Sequence, residues 1–187
     1  MNQRTERIMK LAKSVRVAQE FDLNYNQQLK QSYSNYGNNI YYKEPNLAQV
    51  LGIVMQSPTG SAVVSKAGSS VMSGGEAVGI GIENGNAPTG GVAKIETTQS
   101  DDGTQVKLRV IEINPNGTVI PGLKQKIASM FPHLDENNII NLVNAYVMVH
   151  ELAHHGSMGL DGEGTAEQQA EQFLEDAKNI FVNYVTN

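Results

Sequence analysis

Apolar residues recur at helical intervals near both ends of the chain and at alternating intervals in its middle. Ile8, Leu11, Ala12, Val15 and Ala18 form one stripe on a helix. Residues 24–40, rich in Asn, Gln, Ser and Tyr, read as a linker or a poorly packed segment. A second short helix is predicted after Pro45, through Leu47, Val50, Leu51 and Val54. Residues 57–103 hold ten of the 18 glycines, interleaved with Ser and short apolar pieces. That pattern predicts short strands joined by turns, with Glu83-Asn84-Gly85-Asn86 as one reversal. Val106, Leu108 and Val110 alternate with Lys107 and Arg109, so Gln105 to Ile113 predicts a half-buried strand. It follows a strand over Lys94 to Thr98 across the turn Ser100-Asp101-Asp102-Gly103. Pro115-Asn116-Gly117 closes it, and Gly122 to Phe131 reads as another short helix.

From Asp135 the pattern is helical again: Asp135 caps the start, and Gly156 is placed to end the segment. After the glycine-rich stretch from Gly156 to Gly164, Thr165 and Gln168 form a capping box. The helix it opens carries Ala170, Phe173, Leu174, Ala177, Ile180, Phe181 and Tyr184 as its apolar stripe. The order of elements predicts an α+β fold: N-terminal helices, a small, mostly antiparallel sheet, then two helices. The length of 187 residues suits one domain over 1–187, with 1–40 as an N-terminal helical extension.

Composition narrows the chemistry. A net charge of −5 argues against a nucleic-acid-binding face. No 18-residue apolar run predicts a membrane span, and the first residues lack the apolar core of a secretory signal. The expected setting is therefore cytoplasmic or virion-associated. The chain has no cysteine, so disulfides, thiolate metal sites and cysteine nucleophiles are excluded. A transition-metal site must use carboxylates and the four histidines, His133, His150, His154 and His155.

His150-Glu151-Leu152-Ala153-His154 lies near the end of the helix that starts at Asp135. Four residues advance a helix by about 400°, so both imidazoles share one face about 6 Å apart along the axis. That spacing lets two nitrogens reach one zinc ion. Glu151 projects about 100° away. There it can act as general base on a water that the zinc binds. About 0.006 matches to this five-residue pattern are expected by chance in a chain of this composition. Catalytic zinc wants a third protein ligand and an open corner. Glu167, in the first turn of the next helix, is the candidate, and Glu171 one turn later could bond the far nitrogen of a ligand histidine. His155 points about 100° off the ligand face, which suits a helix-terminal cation or a substrate contact. His133 is too far upstream to join the pair, and Tyr146 reads as a packed core residue.

The pair His150-Glu151-Leu152-Ala153-His154 and Glu167-Gln168-Gln169-Ala170-Glu171-Gln172-Phe173 together resembles a gluzincin metallopeptidase. More narrowly, it is similar to the compact ImmA/IrrE-like and minigluzincin proteins, and to metallopeptidase domains of phage and mobile-element polyproteins. The resemblance covers about residues 135–181. It implies zinc held by His150, His154 and Glu167, Glu151 as general base, and an extended protein or peptide substrate lying along the sheet edge, here the Val106 to Ile113 region. A metzincin extension does not fit, because Ser157 and Leu160 stand where Gly and His or Asp belong. The competing reading is a non-catalytic zinc-binding module of an assembly such as a virion, for which the abundant Asn, Gln, Gly and Ser would also serve.

Overall fold

The computed structural model describes residues 32–70, 79–99, 105–156 and 162–182. The stripe from Ile8 to Ala18 and the turn Ser100 to Gly103 lie outside them. Five strands and five helices follow in the order β1 (Ser34–Gly37), β2 (Ile40–Tyr42), α1 (Pro45–Gln56), α2 (Pro58–Ser69), β3 (Ile80–Asn84), β4 (Gly91–Gln99), β5 (Gln105–Ile113), α3 (Ile120–Met130), α4 (Glu136–His154) and α5 (Glu163–Val182). The α+β class holds.

The sheet is mixed, in the order β1-β2-β3-β5-β4. The β1–β2 and β4–β5 pairs are antiparallel, and the β2–β3 and β3–β5 pairs are parallel. It is thus less antiparallel than local patterning suggests, because α1 and α2 supply a crossover between β2 and β3. Ile80, Ile82, Ile111 and Ile113 are buried, and the register Ile80↔Arg109 and Ile82↔Ile111 puts them on one face with Arg109. Ile40 joins this face through its pairing with Ile80. Leu47, Val50, Leu51 and Val54 of α1 and the buried stripes of α4 and α5 share the same core.

Two segments differ from their sequence reading. Within the stretch expected to be a linker, β1 and β2 form a hairpin across Asn38 and Asn39, both at positive φ (52° and 60°). Asparagine tolerates this conformation, and two such residues in succession make the turn that matches strand twist. Ile40 and Tyr41 are buried there. The second difference is α2, which occupies residues expected to be strand and turn. Ser57 caps it by accepting from the Gly60 N–H at 3.0 Å, and Pro58 opens it. Asp176 of α5 takes hydrogen bonds from the Ser57 hydroxyl (2.7 Å) and the Thr59 N–H (2.9 Å), so the first turn of α2 is completed from 117 residues away.

Arg109 is buried yet lies at two helix C-termini. Its guanidinium donates to the Ser70 hydroxyl at 2.9 Å, beyond α2, and approaches the His155 carbonyl at 3.4 Å, beyond α4. Both places favour a cation. This anchors the end of α4, where the candidate motif sits, to the middle of the sheet. No single helix among the described residues is long and apolar enough to cross a membrane.

Candidate metal centre

The placement of the site begins with α4. Asp135 accepts from the Asn138 N–H at 2.8 Å and fixes the helix start, as its residue type predicts. The helix is buried along most of its length, so its rotation is set by the core: Leu142, Val149 and Leu152 have no exposed surface. That rotation turns His150, Glu151 and His154 toward a cavity of about 960 Å³ bounded by β4, α3 and the start of α5. One ligand atom from each of the three lies within 4.8 Å of the others, an arrangement that could hold a metal ion.

The two imidazoles meet edge to face, with Nε2 atoms 3.2 Å apart. Two unprotonated nitrogens at that distance repel, so a shared proton or a cation is needed to bring them together. Burial, and then the neighbouring His154, hold the His150 pKa below its usual value despite the nearby acids Glu163 and Glu167. A neutral imidazole is the metal-binding form. The donor set therefore fits a borderline divalent cation, zinc among them, which accepts imidazole nitrogen and carboxylate oxygen.

Glu151 faces the other wall. It is only 7% exposed, and desolvation pushes its carboxyl up to about 7, against the opposing influence of His154 and a hydrogen bond from the Ala93 backbone. β4 can come this close because residue 91 is glycine. A Cβ there would stand 2.6 Å from both Glu151 Oε1 and Val147 Cγ1. A carboxyl that titrates near neutrality beside two imidazoles can both take and return a proton.

The acids of α5 approach from the open side. Glu167 Oε2 lies 3.5 Å from the outer nitrogen, Nδ1, of His150, and its Oε1 accepts from the Tyr146 hydroxyl at 2.9 Å. Glu163 was not singled out from the sequence. Its Oε2 is 3.1 Å from His150 Nε2 and its Oε1 is 3.4 Å from His154 Nε2. The reason is the start of α5. The helix opens at Glu163, and the Gly162 carbonyl accepts from Thr165 and Ala166, so Thr165 lies inside the first turn and does not form the expected capping box. The extra residues place Glu163 and Glu167 one turn apart on a single face.

Three other expectations change. Glu171 does not reach a histidine; it forms a close ion pair with Lys126 and shares the Tyr146 hydroxyl at 3.0 Å. Tyr146 is buried, as its position implied, but its hydroxyl is committed to the two acids. Burial and those acids raise its pKa, so it stays a proton donor. His155 is fully buried and burial lowers its pKa to about 4, so it is neither a cation nor a substrate contact; its Nε2 is 3.3 Å from the Val110 carbonyl. Finally, β5 is paired on both sides, so the strand edge beside the cavity belongs to β4, whose Gly91, Val92 and Ala93 line it. Comparison with protein-family models, curated proteins and solved structures returns no match for this chain.

Proposed function

We propose that this protein is a zinc-dependent endopeptidase. The observation that carries the reading is the meeting of His150 and His154 Nε2 at 3.2 Å beside a buried carboxyl raised to about 7, in a cavity open to a strand edge. His150, His154 and Glu167 of α5 would hold the metal, as in the gluzincins that the motif resembles. When bound, zinc supplies a Lewis acid for the scissile carbonyl and makes water acidic enough to attack near neutral pH.

Glu151 accepts the proton of the attacking water and returns it to the leaving amine. Its position against Ala93 keeps it at the cavity wall beside the two imidazoles. Tyr146 holds Glu167 in place and keeps that carboxylate near His150. Among the described strands, β4 has a neighbour on one side only, so an extended peptide could add to it by main-chain hydrogen bonds.

The test is digestion of a mixed peptide library by protein loaded with zinc, stripped with a chelator, and reloaded. Internal cleavage that stops on stripping and returns with zinc is the expected result. Retention of zinc without any cleavage would instead favour the non-catalytic module.

A further inference from the structure

The first turn of α5 brings a second carboxylate to the site, and its placement differs from that of Glu167. Glu163 stands against the inner nitrogens of both histidines at once, at 3.1 Å and 3.4 Å, while those nitrogens are 3.2 Å from each other. Ligands at ~2.0–2.1 Å from one tetrahedral zinc are separated from each other by about 3.3–3.4 Å. The two imidazole nitrogens thus already have the spacing of one edge of a zinc tetrahedron, and the Glu163 carboxylate straddles that edge, Oε2 against His150 and Oε1 against His154. Glu167, by contrast, lies 3.5 Å from the outer nitrogen of His150 and is tied to Tyr146. A carboxylate on the outer nitrogen of a ligand histidine fixes its tautomer and orientation.

We propose that Glu163 is itself a metal ligand, contributing a carboxylate oxygen with His150 Nε2 and His154 Nε2. This rests on the zinc reading above, and it assigns a ligand that the motif resemblance does not. Glu163 is the first residue of α5, and its side chain is 82% exposed even while it touches both rings. It therefore reaches the cation from the solvent side, where water and substrate must enter. If Glu167 leaves the outer nitrogen of His150 to bind as the third ligand proposed above, the four corners would be filled by protein, and Glu163 would be the one that substrate displaces. Among the described residues its polar contacts are with the two rings, whereas Glu167 is held by Tyr146.

Zinc affinity decides the matter by competition with a chromophoric chelator, in wild-type protein, Glu163→Gln and Glu167→Gln. Glutamine keeps the size of the side chain and removes its charge, and each fold is verified by far-UV circular dichroism. Glu163→Gln is expected to bind zinc at least about 10- to 100-fold more weakly, since loss of a group that only orients a ligand already costs that much. Cobalt(II) in the site is expected to show a changed visible spectrum in the same variant. Unchanged zinc affinity and an unchanged cobalt spectrum in Glu163→Gln overturn the proposal, including when Glu167→Gln weakens binding. Weakened zinc binding in a protein that cleaves no peptide supports the ligand assignment while removing the endopeptidase reading. Wild-type protein that binds no zinc overturns both.

Discussion

Replacing Glu151 with Gln is expected to lower zinc-dependent peptide cleavage by about 10²–10⁴-fold, the usual contribution of a positioned general base, with zinc still bound. The amide has nearly the shape of the carboxyl but cannot take a proton from water. His150 and His154, the proposed metal ligands, are untouched by the change. The same substitution has an opposite effect on the metal-free fold. The Glu151 carboxyl is raised from its ordinary 4.5 to about 7 because it is desolvated. The folded state therefore disfavours its charged form, and metal-free wild-type protein loses stability as pH rises from about 4.5 to 7, with the full penalty above that window. At about 1.4 kcal/mol per pKa unit, the penalty is on the order of 3 kcal/mol. Glu151→Gln should remove most of it, so the metal-free variant should be more stable than wild type at pH 8, and the two should converge near pH 4.5. Urea unfolding of both proteins across that range provides the check. Equal stabilities at pH 8 would mean that Glu151 is solvated, and retained cleavage would mean that it is not the base.

Phe173→Ala is expected to cost about 3–5 kcal/mol of folding stability, the range for deleting a buried aromatic ring. Phe173 has no exposed surface and is among the largest fully buried side chains. It lies on the buried face of α5, together with Ala170, Leu174 and Ala177, and α5 packs against both α4 and α2. This seam positions the start of α5, and so its two acids, over the histidines. Phe173→Leu retains most of the apolar volume and should cost clearly less. Denaturant midpoints of the two variants measure the difference. A Phe173→Ala protein as stable as wild type would contradict the packing of α5 described here.

The parts legible in the sequence share a physical character: their determinants are local. Helix α4 announces itself through Asp135 and a long apolar period, and the spacing of His150 and His154 follows from helical geometry alone. The β4–β5 pair shows in its alternation. Helix α2 was hidden because what makes it a helix is distant. Its glycines look like turn residues, yet Gly60 and Gly68 serve close packing: a Cβ would stand 2.2 Å from the Val54 carbonyl oxygen at one and 1.7 Å from that of Asn38 at the other. Its first turn is completed by Asp176, which no local pattern reveals. The hairpin before α1 could have been found from Asn38-Asn39 between tyrosine-rich segments, a pair suited to two successive positive φ values.

The acids of the site show the same division. Glu167 was visible through its distance from the histidines and the stripe behind it. Glu163 is obscured by Thr165 and Gln168, which satisfy the local capping pattern while the helix begins at Glu163, ahead of that cap. The burial of His155 has no local signature either. It follows from the sheet, where Val110 and Arg109 of β5 approach the end of α4.

The most direct measurement is the zinc content of the purified protein after stripping, reloading and dialysis, set beside His154→Ala treated identically. One zinc per wild-type chain and none in the variant is the result predicted here. Wild-type protein that retains no zinc, or a variant that retains as much as wild type, would contradict a centre built on His150 and His154.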